Sequence, residues 1–159
     1  SRLVLNDVGT LIPQASLERL GRYVGKAPAC RTLDELNTYL RTVSATFGPL
    51  NDVQWDHLTR HNARQNADGT WIMNYDPGIA LPFQAKQLND IDLWSYYDGI
   101  TCPTLLLRGA ESDLLLKDTA LAMTQRGPRA RLVEFAGVGH APMLMADDQI
   151  EAVSAFLTV

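Results

Sequence analysis

Two side chains able to move protons stand about one helix apart near the end of this sequence. Asp113 lies in "RGAESDLLL", residues 108 to 116, just past the apolar run "CPTLLL". His140 lies in "GVGHAPML", just past a second run, "ARLVEFAG". A histidine acting as general base needs a partner that fixes its tautomer and stabilises the imidazolium, and a carboxylate does both. Asp113 and His140 are therefore the candidate acid and base, with Gly137 and Gly139 leaving room for a tight turn that presents the ring. The spacing alone also fits plainer roles, with Asp113 capping a turn and His140 as a hydrogen-bonded loop histidine. Asp7 ends a third apolar run, "RLVLNDVG", and is read as a turn or N-cap residue; Glu111 is read as solvated. His57 and His61 stand at i, i+4 on an expected helix, a spacing that suits a metal. With no HExxH and no third ligand in the sequence, a polar helix face is the expectation there.

The elements that must position these residues follow from pattern. "RLVLNDV" is a short apolar run closed by Gly9 and Pro13, a buried strand. Ser16 caps a helix carrying Leu17, Leu20 and Val24, stopped by Gly25. In "TLDELNTYLRTVSATF", Thr32 and Glu35 form a capping box, and Leu33, Leu36, Leu40, Val43 and Phe47 fall at helical spacing. A third helix is expected over about 52–64. Asp68-Gly69 is a turn signal beside "TWIMNY", which suits a hairpin or an extended strand. Residues 79–97 read as one or two short helices. Then come a strand in "CPTLLLRG", a helix over about 118–126, a strand in "ARLVEFAG" and a closing helix in "DDQIEAVSAFL". In that last helix Asp148 and Glu151 are placed as a capping box, and Ile150, Val153 and Leu157 face inward. Strands alternating with helices imply a parallel sheet with right-handed crossovers. Chemistry in such sheets sits just beyond the carboxyl ends of the strands. Asp7, Asp113 and His140 all fall at that edge.

Totals narrow the function classes. The chain has 159 residues, 46% hydrophobic and 20% charged, with a formal net charge of −4. The size and composition suit a globular domain with a sizeable core. No basic stripe invites nucleic acid or an anionic membrane, so neither is an expected partner. No apolar stretch approaches the roughly 20 residues that span a bilayer. Cys30 and Cys102 lie far apart, which reads as two reduced thiols in a cytoplasmic protein. The first residues already read as a core strand, where a terminus is normally exposed. The expectation is a piece of a longer protein.

On these motifs the chain resembles the C-terminal part of the α/β-hydrolase fold. "RLVLNDVGTLIP" is similar to the strand after that family's nucleophile elbow. "CPTLLLRGAESDLL" and "VGHAPML" are similar to its last strands. "DGTWIMNYDPGIALPF" and "DIDLWSYYDGITCPTLLLRG" resemble the cap and its exit in bacterial members. The resemblance implies a partial α/β-hydrolase fold of about three parallel strands with flanking helices. Residues 1–12 and 91–159 would belong to the core and 13–90 to a helical cap insertion, with the N-terminal half and its elbow absent. It implies Asp113 as triad acid and His140 as triad base, although some members carry the acid after the earlier strand, at Asp7. The nucleophilic serine of that family stands in G-x-S-x-G, and none of the six serines here does. The implied parent is a serine-type hydrolase of esters or related carbonyl compounds acting on a small molecule, without metal or organic cofactor. This chain alone would be inactive. An Asp at the elbow would instead imply epoxide or haloalkane hydrolysis. Two other readings stay open: a noncatalytic fragment that forms a homo-oligomer or pairs with the missing N-terminal half, and a ligand-binding relative without turnover. Trp55, Trp71, Trp94, Tyr96 and Tyr97 either line an apolar pocket or simply pack.

Overall fold

In a computed structural model, which describes residues 1–84 and 88–158, the chain begins with β1 (Leu3–Asn6), β2 (Leu11–Ile12) and α1 (Gln14–Leu20). There follow α2 (Leu33–Val43), a 3-10 turn (Ala45–Phe47), α3 (Asp52–Asn62), β3 (Ala63–Gln65), β4 (Trp71–Met73) and a 3-10 segment (Pro77–Gln84). The last part holds β5 (Ile91–Asp92), α4 (Trp94–Asp98), β6 (Thr104–Gly109), α5 (Lys117–Met123), β7 (Arg131–Phe135) and α6 (Asp147–Leu157). Two compact units result. One joins Ser1–Ser16, Thr46–Pro49 and Asn89–Val159; the other joins Leu17–Ala45 and Leu50–Leu88.

The first unit is built on β6. Its residues Thr104–Gly109 are buried throughout, as a strand covered on both faces must be. Leu106 points into a cluster with Tyr97, Leu115, Ala120, Met123 and Ala130. Leu105 and Leu107, one residue to either side, point into the opposite cluster with Phe135, Val138 and Phe156. This alternation is the period of two that a strand imposes. β6 pairs in parallel with β1 on one side and β7 on the other, giving the order β1-β6-β7. The expected parallel sheet of three strands is thus present, and its carboxyl edge carries Asp7, the turn after Gly109 and the His140 turn. A second, antiparallel ladder joins β2 to β5, pairing Leu11 with Asp92 and Ile12 with Ile91.

The second unit is mainly helical. Thr32 caps α2, its Oγ1 accepting from Glu35 N–H at 3.1 Å, while the Glu35 carboxylate reaches back to Arg31 N–H at 2.7 Å. Asn51 and Gln54 form a reciprocal capping box at the start of α3. α2 and α3 pack together around Leu36, Leu40, Trp55 and Leu58, tied by a 2.8 Å bond from Asn37 Nδ2 to Thr59 Oγ1. β3 and β4 pair antiparallel across the Asp68-Gly69 turn, as the turn signal implies.

Four local expectations differ from the structure. Ser16 lies within α1, where its hydroxyl donates to the Asp113 carbonyl at 2.6 Å instead of capping a helix start. The third helix stops at Asn62, where the chain turns into β3. Of 79–97, the end is helical as expected, in α4, but the start belongs to a 3-10 segment and 91–92 to a short strand, while 85–87 fall outside the described residues. In α6 no side chain caps the start, Ile150 and Leu157 are exposed, and Gln149 and Phe156 are buried in their place. Ala152, Val153 and Phe156 pack into the Leu105–Leu107 cluster, and Gln149 lies on that same face, its side-chain oxygen accepting from Leu144 N–H at 2.8 Å.

Candidate active site

His140 follows β7 through the turn at Gly137, which adopts φ 71°, a conformation open to glycine. Its ring Nδ1 lies 2.9 Å from Asp7 Oδ2 and 3.2 Å from the Asp7 carbonyl oxygen. The carbonyl can only accept, so Nδ1 carries a proton and the neutral ring keeps its lone pair on Nε2. That is the tautomer a general base needs. The ring is about a quarter exposed, whereas Asp7 is fully buried.

A fully buried carboxylate is tolerated only when its lone pairs are satisfied. Asp7 Oδ1 accepts from Gly109 N–H at 2.8 Å. Oδ2 accepts from Ser112 Oγ–H at 2.6 Å as well as facing His140. Ser112 Oγ in turn accepts from Leu114 and Leu115 N–H, so its own hydrogen is directed at the carboxylate. Asp7 sits at φ 53°, in the left-handed region, which Asp enters more readily than most residues. Backbone of this kind gathers at functional sites.

Sequence reasoning puts Asp113 beside His140, and the structure corrects this: the carboxylate on the ring is that of Asp7. The reason is the direction of adjacent side chains after β6. Ser112 turns inward to Asp7 and is buried, so Asp113 turns outward and is exposed, as is Glu111. His57 and His61 stack at 4.0 Å on the exposed side of α3, with His61 Nδ1 2.7 Å from the His57 carbonyl. Among the described residues no group of three or more His, Cys, Asp and Glu side chains is placed to hold a metal ion.

Three contributors have weak signals in the sequence. Arg108 is a charged residue ending a buried strand. Its guanidinium donates to the carbonyls of Leu115 (2.8 Å) and Ala110 (3.1 Å) and to Glu134 Oε2 (2.5 Å), so it forms the frame on which the 109–116 turn is wound. Gly109 is a glycine by necessity, since a Cβ there would run into the carbonyl oxygens of Val138 and Gly139. Ser112 reads as any turn serine. Beside β1 lies an apolar cavity of about 330 Å³ lined by Leu5, Val8, Thr10, Tyr96, Tyr97 and Met123, among others. Tyr96 and Tyr97 thus face a pocket, whereas Trp94 packs edge-on against Tyr97 and under Arg126. Cys30 and Cys102 are free thiols, and no described helix is long and apolar enough to cross a membrane.

No protein-family profile matches this sequence. A curated relative, the 3-hydroxybutyrate-oligomer hydrolase of Cupriavidus necator, is 38% identical over 165 residues, covering 99% of this chain and 56% of that protein. Among solved structures, a Rickettsia typhi protein assigned as a hydrolase superposes with TM-score 0.88 at 32% identity, covering 99% of this chain and 53% of that one. An α/β hydrolase from Novosphingobium aromaticivorans superposes with TM-score 0.84 at 33% identity, covering 98% of this chain and 55% of that one. The strand order, the parallel pairing and these superpositions agree: this chain carries part of the α/β-hydrolase fold and spans about half the length of the relatives it matches.

Proposed function

We propose that this chain supplies the general base and its orienting acid to a serine-type α/β-hydrolase acting on esters. His140 is the base and Asp7 the acid. The observation that carries this reading is the 2.9 Å contact between His140 Nδ1 and a fully buried carboxylate. In the complete enzyme, His140 Nε2 takes the proton of a serine hydroxyl as that oxygen attacks the ester carbonyl. The imidazolium, stabilised by Asp7, returns the proton to the departing alkoxide. The neutral imidazole so regenerated then takes a proton from water, which attacks the acyl-enzyme and releases the acid. The chemistry asks for no metal or organic cofactor. The helical unit takes the part of the family's cap, and the two free thiols suit a reducing, cytoplasmic setting. The curated relative's name makes 3-hydroxybutyrate oligomers, which are esters, the first substrates to try.

The test is a chimera in which this chain replaces the matching part of the Cupriavidus necator enzyme, assayed for release of 3-hydroxybutyrate. Asp7→Asn should lower kcat by roughly 10³–10⁴-fold, the loss seen when a triad carboxylate becomes an amide. Asp113→Asn should stay within about threefold, as expected of a group outside the reacting set. The reverse pattern, with Asp113 essential and Asp7 dispensable, would reject the assignment.

A further inference from the structure

Thr46 lies between α2 and α3 in sequence, yet Thr46–Pro49 belongs to the unit that holds the sheet. Its carbonyl and its hydroxyl both meet the His140 turn. The Thr46 carbonyl accepts from Gly139 N–H at 2.7 Å, and Thr46 Oγ1–H donates to the His140 carbonyl at 2.9 Å. One bond would leave a pivot. Two bonds to consecutive residues fix the orientation of the peptide units as well as their position. The fit is close on both sides: a Cβ on Gly139 would stand 2.9 Å from Thr46 Cβ, and one on Gly48 would stand 2.9 Å from Val138 Cγ2. From the other direction, Glu111 N–H donates to the Val138 carbonyl at 2.9 Å. The turn is thus held from the β6 side and from the 46–49 side, while the ring itself is held at Nδ1.

We propose that Thr46 is a positioning residue for His140, locking the backbone of the turn so that Nδ1 stays on Asp7. Its catalytic meaning rests on the reading of His140 as general base; the placement itself does not. The 46–49 segment is then a strut for the base, and the Thr46 hydroxyl is its adjustable end.

The experiment is NMR of this chain labelled with ¹⁵N in the imidazole rings. The His140 Nδ1–H signal is assigned by its loss in His140→Gln, and its exchange with solvent is followed. Thr46→Val keeps the shape and removes the hydroxyl, and Thr46→Ser keeps the hydroxyl. Loss of one hydrogen bond should speed Nδ1–H exchange about fivefold in Thr46→Val, with Thr46→Ser within about twofold of wild type. A purely structural role would lower the melting temperature and leave Nδ1–H exchange unchanged in the folded protein. Exchange in Thr46→Val within about twofold of wild type overturns the proposal, as does a wild-type chain with no protected Nδ1–H. Should Thr46→Val not fold, the wild type decides. The Gly139 amide and the His140 Nδ1–H should share one dependence on urea, and an Nδ1–H that survives openings releasing Gly139 overturns the strut. An inactive chimera alongside Thr46-dependent exchange would fault the hydrolase reading and leave the positioning role intact.

Discussion

Asp7 holds three different donors, from Gly109, Ser112 and His140, in a site closed to water. Such a carboxylate is costly to disturb, because each donor would be left without its partner. No described serine hydroxyl bonds the His140 ring, and Ser112, the nearest to this cluster in the chain, spends its hydrogen on Asp7. A fluorophosphonate should therefore leave the isolated chain unmodified, with intact mass near 17.6 kDa. A single serine adduct would show instead that one of the six is activated here. Cys30 answers to the same physics on the other unit. Burial pushes its thiol up, and the nearby Glu35 carboxylate adds to the rise. Less thiolate near neutral pH means slower alkylation, so iodoacetamide should label the half-exposed Cys102 well before Cys30, as peptide masses at timed quenches would record. At this scale the place of His140 was legible, because a histidine just past a buried run and a Gly-Val-Gly turn falls at the carboxyl edge of the sheet. Its partner was legible only as one of several carboxylates at the same edge. Chain position does not say which of two neighbours, Ser112 or Asp113, turns inward after β6.

At the scale of elements, β6 does most of the positioning. It ends in Arg108 and Gly109, one framing the turn and the other letting the His140 turn approach within backbone contact. Gly109→Ala should push the two turns apart and destabilise the unit by about 1–3 kcal/mol, the usual cost of overpacking. Urea denaturation reads this directly, and a loss under about 0.5 kcal/mol would mean the turns are free to separate. The three strands of the parallel sheet were legible because apolar runs ending at glycine are hard to read otherwise, whereas the short β2 and β5 were not. The face of α6 was not. Two apolar faces compete in its pattern: Ile150, Val153 and Leu157 on one reading, Ala152, Val153 and Phe156 on the other. The second packs into the core beside Gln149, a polar residue that no apolar pattern marks as buried. The interior of the 79–97 stretch was equally opaque, since Pro82 and Gly78 permit a 3-10 segment where leucine and phenylalanine suggest an α-helix.

For the whole molecule, the decisive fact is that a sheet of three strands has two edges, and β1 is one of them. Its four residues are only half-buried, and an apolar cavity opens beside it. Edges of this kind recruit another strand. The isolated chain should therefore sediment at micromolar concentration as a dimer or larger species rather than at 17.6 kDa, and adding the remaining portion of a relative should dissolve that assembly into a one-to-one complex. A monomer throughout the concentration range would show that the edge is protected. The short ladder between β2 and β5 has a consequence of another kind. It brings Ile12 beside Ile91, with Gln14 N–H bonded to the Asp90 carboxylate at 2.7 Å, so the long excursion between them starts and finishes at one point. A loop anchored in this way pays little for extra length, about 0.6 kcal/mol for each doubling. The ladder is a socket into which inserts of very different size can be plugged without disturbing the sheet. Evolution can thus exchange the fitting, on one condition: every replacement must bring its own substitute for Thr46.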